Sequence, residues 1–345
     1  MLMQPDAAMD FSRRYRGAVI GLGGVARLAH LPGFAASPAR ERVQIVATVD
    51  GSPAATAVDG IPLVRHRDAL RLMQRETGPL DFVDICTPTA SHLELTLWAL
   101  EQGYHVLCEK PVALTRAEAD RIAAAARAAD RVVFPCHQYR YNPAWRALRA
   151  VLESGAIGRW HLAEFHVHRL AADAGAARTP KPWRGLATES RGGVLLDHGS
   201  HLIYSLLDVA GPPAALRSWL GRLRHAEYDV EDTAHLLLEY PDRLALLFLT
   251  WAGGHRENLI RFVGERGSVE WRGGMLTVTA DGRESRTDYT AQLDKAAYAG
   301  WFAQLFGDFA AALDAGDRER PLADIAGVAA VLEDAYETAG APAGA

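Results

Sequence analysis

Glu109-Lys110-Pro111 sets a cation directly after a short apolar run, His105 to Cys108. Proline fixes its own φ and disfavours helical geometry in the residue before it, so Lys110 is expected in an extended or turn conformation, aimed by the backbone. An ammonium held that way can donate to a ligand oxygen or exchange a proton with it. The competing reading is a solvated lysine in a turn. A second candidate is the run Gly192-Gly193-Val194-Leu195-Leu196-Asp197-His198-Gly199-Ser200-His201. Asp197 and His201 are four apart, which on an α-helix puts them one turn apart on one face. An imidazole of ordinary pKa, about 6.5, can take a hydroxyl proton while the carboxylate orients the ring or the ligand. The plainer alternative is an aspartate offsetting a helix dipole and a core histidine with its hydrogen bonds satisfied.

Proton transfer of this kind needs a partner reaction, and the first apolar run supplies a place for one. It leads into Gly21-Leu22-Gly23-Gly24-Val25-Ala26, a G-x-G-x-x-A turn that lets backbone N–H groups and a helix N-terminus approach a pyrophosphate. The next strand ends at Asp50, a carboxylate suited to the ribose hydroxyls of a dinucleotide, although it lies beyond the usual interval of about 20 residues. Asp50 repels a 2′-phosphate, and Gly51-Ser52-Pro53 after it offers no arginine, so NAD is favoured over NADP. Arg27 and Arg65 are the cations that could alter that preference.

These groups have to be held by recognisable elements. From Gly17 to Pro135, β-branched apolar runs (Ala18 to Ile20, Gln44 to Val49, Asp81 to Ile85, His105 to Leu107, Val132 to Phe134) alternate with amphipathic stretches, which predicts a parallel sheet covered on both faces. Thr115 followed by Glu118 forms a capping box, and Leu93, Leu97 and Leu100 keep helical spacing. A helix over Pro143 to Glu153 and a strand over Trp160 to His168 follow, then a loop from Ala171 to Thr188 and a helix from Gly193 to Val209. At least five strand-like runs come next, among them Ala234 to Glu239, Leu244 to Trp251, Asn258 to Val263 and Ser268 to Trp271, and short turns between them predict an antiparallel sheet. Two helices, about Ala296 to Ala315 and Ala323 to Ala339, end the chain. The expected fold class is α/β: a tail over 1–16, a Rossmann dinucleotide-binding domain over 17–138, and an α+β substrate-binding and oligomerisation domain with a large open, mostly antiparallel sheet over 139–345.

Composition narrows the partners. The chain has 345 residues, 49% hydrophobic and 23% charged, which excludes disorder and leaves room for two cores. Its net charge of −5, with Lys and Arg scattered among acids, argues against nucleic acid and for a small molecule. No stretch is apolar for long enough to span a bilayer, and the three cysteines, Cys86, Cys108 and Cys136, lack disulfide or metal spacing, so the expected setting is a reducing cytoplasm. Glu164, His166 and His168 alternate along one strand and share a sheet face; a metal there is not expected, since hydride transfer needs none.

The chain resembles the Gfo/Idh/MocA oxidoreductases, the glucose–fructose oxidoreductase and inositol dehydrogenase group. The resemblance rests on the turn at Gly21, Cys86-Thr87-Pro88 with Ser91-His92, Glu109-Lys110-Pro111, the Gly192 to His201 motif and the helical ending from Phe302 to Ala339. It implies a catalytic trio of Lys110, Asp197 and His201, with His201 accepting the hydroxyl proton and Lys110 polarising the same oxygen; members differ on which of the two is the base. It also implies that Thr87, Pro88, His92, Glu109 and Lys110 join Gly21, Gly23, Gly24, Val25, Ala26 and Asp50 at the cofactor, and that Tyr139, Arg140 and Tyr141 reach the cleft. Trp183, beside Arg184 and Lys181, could stack on the apolar face of a sugar or plug a domain interface. The sequence departs from the commonest pattern at Tyr204, where many members carry an acid, and at His198, often aliphatic. The implied function is an NAD-dependent dehydrogenase acting on a sugar or cyclitol, with a homodimer or homotetramer as the expected assembly. The rivals are a glycosidase or lyase that uses tightly bound NAD in a redox-neutral cycle, and a sugar-sensing regulator, which would have lost the lysine or histidine.

Overall fold

The computed structural model describes residues 14–58, 60–172, 182–293 and 297–339. Residues 1–13 of the tail expected over 1–16, the loop residues 173–181 with Lys181, and the first residue of the helix expected from Ala296 lie outside that description; the end of the expected tail is strand, since Tyr15 and Arg16 pair with Val43 and Gln44. Six strands form the first sheet: β1 (Tyr15–Ile20), β2 (Val43–Val49), β3 (Leu63–Val64), β4 (Phe82–Ile85), β5 (His105–Cys108) and β6 (Val133–Pro135). Their order is β3-β2-β1-β4-β5-β6, and every pairing is parallel. The order reverses between β1 and β4, so the carboxyl ends of these strands open a crevice, the place where doubly wound sheets bind nucleotides. β4 is buried at all four positions, as a strand covered on both faces should be, yet it carries Asp84 with no exposure at all.

Helices cover both faces of this sheet. Helices His92–Glu101 and Arg116–Ala129 pack through Leu95, Ala99, Leu100, Ile122 and Ala126 on one side. The cap expected at the second of them is present in its first half: the Glu118 N–H donates to Thr115 Oγ1 over 3.2 Å, while the Glu118 carboxylate accepts from the N–H of Leu114, one residue before the cap, at 2.9 Å. The other face is covered by Phe302, Phe306 and Phe309 of the helix Tyr298–Ala315, in one core with Phe34, Phe82 and Phe134. A helix assigned from sequence to the second domain therefore packs on the first sheet. Its aromatic residues bury more apolar area there than they could in solvent.

The second sheet has eight strands: β7 (Trp160–His168), β8 (Ala215–Gly221), β9 (Thr233–Tyr240), β10 (Arg243–Thr250), β11 (Glu257–Gly264), β12 (Gly267–Arg272), β13 (Met275–Ala280) and β14 (Arg283–Asp288). They run in the order β14-β13-β12-β11-β7-β10-β9-β8, antiparallel except where β7 lies parallel to β10. Along β7, Ala163, Phe165 and Val167 face the core, while Glu164, His166 and His168 share the half-buried outer face, as period two requires. β3 and β14 are not legible in sequence: the first has two residues, and the second, Arg-Glu-Ser-Arg-Thr-Asp, is exposed throughout and has no apolar side to read.

Candidate active site

The β1 turn and the end of β4 meet at one wall of a cleft of about 1160 Å³. Gly21 has φ +93° and donates its N–H to Val49 O at 2.8 Å; a Cβ there would stand 2.9 Å from the Cys86 carbonyl carbon. The site therefore admits only glycine without a shift of backbone. A Cβ on Gly23 or Gly24 would meet nothing within 4 Å, since both border the open cleft. Asp50 is fixed at the far end of the turn: its carboxylate accepts from the Leu22 N–H and the Ser52 N–H, each at 2.8 Å. Arg27 donates to the Leu22 and Thr56 carbonyls, and Arg65 to the Ser52 and Ala55 carbonyls, so both guanidinium groups are tied to backbone beside Asp50. Val25, Thr87 and Pro88 line the same cleft, whereas Ala26 is fully buried in the core beneath it. The cradle fits the pyrophosphate and ribose of a dinucleotide: open glycine backbone, a helix start and an anchored carboxylate.

Two residues expected at the cofactor serve the framework as well. His92 is 2% exposed and borders the cleft, and its Nδ1 and Nε2 lie 2.8 Å and 2.9 Å from the Pro111 and Thr87 carbonyls, so the ring sits wedged between two loops, the neutral form donating to one of the two. Burial lowers its pKa. Glu109 borders the cleft, but Oε1 lies 2.9 Å from His30 Nε2 and Oε2 accepts from the Lys110 N–H at 3.2 Å. Burial alone would raise the Glu109 pKa; the His30 charge more than reverses that.

Lys110 follows β5, and its peptide bond to Pro111 is cis. Its ammonium crosses to the second half of the chain, donating to the Asp197 carbonyl at 2.5 Å and standing 3.6 Å from Asp197 Oδ1. Asp197 does not sit on a regular α-helix. Residues Leu195–Gly199 make a π-helical turn, with the Ser200 N–H reaching back to Leu195 O, before the α-helix Ser200–Ala210 begins. The turn starts where Gly193 passes Glu231 so closely that a Cβ would lie 1.8 Å from the Glu231 carbonyl oxygen. Glu231 then accepts from the Val194 and Leu195 N–H groups, each at 3.1 Å. Asp197 thus sits in the widened turn and His201 at the start of the α-helix after it, and both line one cleft. Such bulges are frequent at functional sites because they re-aim side chains that a regular helix would line up.

The carboxylate and imidazole accordingly have separate partners. Asp197 Oδ1 accepts from Arg184 Nε at 3.1 Å, and Oδ2 lies 3.1 Å from His198 Nδ1. Burial would raise the Asp197 pKa, but Arg184, His198 and Lys110 together hold it well below the usual carboxylate range. His201 Nδ1 lies 3.0 Å from the Tyr204 hydroxyl, and the ring stacks on Tyr139 with centroids 4.3 Å apart. Burial first, and the Lys110 charge second, hold the His201 pKa well below its usual value. Tyr204, fully buried, also accepts from the Tyr139 N–H at 2.9 Å.

The segment after β6 needs a correction. Gln138–Tyr141 form a 3₁₀ turn, so consecutive side chains are spread about 120° apart and cannot share a wall. Tyr139 enters the cleft, but Arg140 pairs with Asp324 at 2.6 Å and 2.9 Å, and the Tyr141 hydroxyl donates to Asp308 at 2.8 Å. Both line a separate cavity of about 220 Å³. Trp183 and Arg184 do reach the main cleft, the guanidinium lying 4.4 Å above the indole. Sequence reasoning missed Tyr298 and Trp301, which line the cleft from the helix that packs on the first sheet. It also missed His30, buried between Asp84 and Glu109, for which the only signal was an acid inside the apolar β4 run. On the outer sheet face His166, His168 and Glu257 stand within ligand-like reach of one another, with His168 Nδ1 3.4 Å from Glu257. That face lies on the far side of β7 from the core.

Among the described residues no helix is long and apolar enough to cross a membrane. A model of an oxidoreductase family with an NAD-binding Rossmann fold matches residues 15–137, and a model of the Gfo/Idh/MocA C-terminal domain matches residues 145–270. The chain is 30% identical to the D-glucoside 3-dehydrogenase of Escherichia coli over 58% of its own length and 55% of that protein. It is 28% identical to the levoglucosan dehydrogenase of Pseudarthrobacter phenanthrenivorans over 60% of its length and 61% of that protein. An oxidoreductase of Agrobacterium radiobacter, solved with NAD+, L-tartaric acid and magnesium, superposes with a TM-score of 0.80 at 24% identity, covering 95% of this chain and 96% of that one. With both halves matched and the turn, the lysine and the Asp197 segment gathered on one cleft, the chain belongs to the Gfo/Idh/MocA oxidoreductase family.

Proposed function

We propose that the protein moves a hydride between a nicotinamide dinucleotide, preferably NAD, and a secondary hydroxyl or ketone of a sugar or sugar derivative. The observation that carries this is the Lys110 ammonium at the Asp197 carbonyl, which joins the β5 end of the dinucleotide sheet to the π-helical turn across one cleft. In this reading residues up to 138 hold the cofactor and those after it supply most of the substrate wall. Gly21, Gly23, Gly24 and Val25 cradle the pyrophosphate, Asp50 takes the ribose, and Thr87 and Pro88 border the ring end. The bound nicotinamide supplies the hydride acceptor, or the donor in reverse.

The chain itself handles the proton and the orientation. Lys110 Nζ donates to the reacting oxygen and polarises it. His201 Nε2, which has no hydrogen-bond partner among the described residues, takes the hydroxyl proton in the tautomer that carries its own proton on Nδ1, the nitrogen that faces the Tyr204 hydroxyl. Low basicity in the free site suits that task, since the ring is neutral and ready to accept at neutral pH. Asp197 stays ionised and holds Arg184, His198 and Lys110 in register. Tyr139, Trp183 and Trp301 offer aromatic faces to the apolar side of a sugar ring. The glycosidase or lyase reading draws no support from the relatives, which are dehydrogenases.

The test combines turnover and binding. D-glucosides, levoglucosan, D-apiose and cyclitols are screened for NAD reduction. On the best of them Lys110→Ala should lower kcat at least about 100-fold, the scale of a lost acid/base or polarising group. Wild-type kcat in that variant would sink the role given to Lys110. Tighter fluorescence-monitored binding of NADPH than NADH would reverse the cofactor preference drawn from Asp50.

A further inference from the structure

We propose that His30 is a positioning residue for Lys110: it grips the Glu109 carboxylate, whose second oxygen holds the Lys110 N–H, and so fixes the turn that aims the ammonium into the cleft. The inference rests on the role given to Lys110 above. The chain of contacts is continuous. His30 Nδ1 lies 2.8 Å from Asp84 Oδ2, and Nε2 lies 2.9 Å from Glu109 Oε1. Glu109 Oε2 accepts from the Lys110 N–H at 3.2 Å, and Lys110 Nζ reaches Asp197 O at 2.5 Å. His30 has no exposure, and its ring is packed against Phe302 and Phe306, with centroids 4.6 Å and 5.5 Å away. The position is therefore set from three directions: the π-helical segment Ala26–His30 after the glycine turn, the β4 strand and the aromatic helix over the sheet.

Charge explains why a histidine is needed there. Both ring nitrogens face carboxylates, so both must donate, and only the imidazolium does that. The pKa of His30 is raised to about 10: burial opposes the charge, and Asp84 and Glu109 outweigh it. Cys86 Sγ, 3.3 Å from Nδ1, and the buried Cys136 thiol complete the surroundings and are neutral, since burial pushes both thiols up. Without the imidazolium, two carboxylates would be left buried together. Glu109, one residue from Lys110, would compete with Asp197 for its ammonium, and the grip on the Lys110 N–H would loosen. A glutamine in place of His30 carries no charge and so cannot neutralise the two acids.

The experiment is a double-mutant cycle on the full chain with NAD and the panel sugar that wild type turns over fastest. His30→Gln should lower kcat at least tenfold while the NADH Kd stays within threefold of wild type. In a Lys110→Ala background the same change should alter the residual kcat by less than threefold. A fall of less than threefold in the single variant, or a full repeat of its effect in the Lys110→Ala background, overturns the proposal and leaves the role of Lys110 standing. Wild-type kcat in Lys110→Ala overturns both. Should His30→Gln fail to fold, Glu109→Gln, which keeps the side-chain shape and removes the charge that His30 grips, runs the same cycle with the same kcat criteria.

Discussion

Replacing Tyr204 by phenylalanine removes one oxygen and tests how His201 is held. That oxygen takes the Tyr139 N–H at 2.9 Å and faces His201 Nδ1 at 3.0 Å. The side chain is fully buried and stacks on His137 with centroids 4.1 Å apart, so the ring should stay in place and no cavity larger than a hydroxyl opens. Two polar groups lose their partner, each at a cost of about 1–3 kcal/mol, the lower end applying to the partly buried Tyr139 amide. Together they predict a loss of ~2–4 kcal/mol, read as a clear drop in urea midpoint at unchanged slope. The catalytic effect is separable. The imidazole keeps its stack on Tyr139 but loses its partner at Nδ1, so neither its tautomer nor its orientation is held and Nε2 is ready to take a proton for only part of the time. A fall in kcat of about 10–100-fold, ~1.4–2.7 kcal/mol, is expected, with the NADH Kd unchanged because Tyr204 does not border the cleft. Steady-state kinetics on the panel sugar and a fluorescence titration measure the two quantities. A variant with lowered stability and wild-type kcat would refute the assignment of His201 as a base oriented by Tyr204.

Gly21→Ala should weaken NADH binding more than tenfold and cost about 1–3 kcal/mol of stability, because φ +93° disfavours a Cβ and the new methyl would press on the Cys86 carbonyl; unchanged titration and melting curves would contradict this. His30 gives a pH signature. Folding raises its pKa, so the stabilisation is complete below about pH 6.5, the unfolded value, and is lost as pH climbs toward about 10. The wild-type urea midpoint should therefore fall between pH 6.5 and 9.5, and the fall should be reduced in His30→Gln. Parallel curves for the two proteins would show that His30 is not charged in the fold.

Much of the site was legible because its signals are local. A glycine turn between a strand and a helix, a proline after Lys110 and an acid at the end of β2 act through the backbone at their own positions, and the structure has them on one cleft. Strands with continuous or alternating apolar patterns were readable for the same reason, whereas β14, with six exposed residues, was not. Arg140 and Tyr141 show the limit: adjacent to Tyr139 in sequence, they are turned away by a 3₁₀ turn whose geometry no residue pattern announces.

The sequence by itself determined the strand and helix periods, the parallel and antiparallel character of the two halves, and the residue types able to bind a dinucleotide and carry a proton. Tertiary structure alone decided which charges meet. Asp197, in the π-helical turn, meets Lys110 across 87 residues of chain, and His30 finds Asp84 and Glu109 across 54 and 79. Local propensity acts over a turn or a strand, while a buried charge is stable only where the packed chain brings its counter-charge within hydrogen-bonding distance, a condition that no short stretch of sequence can express.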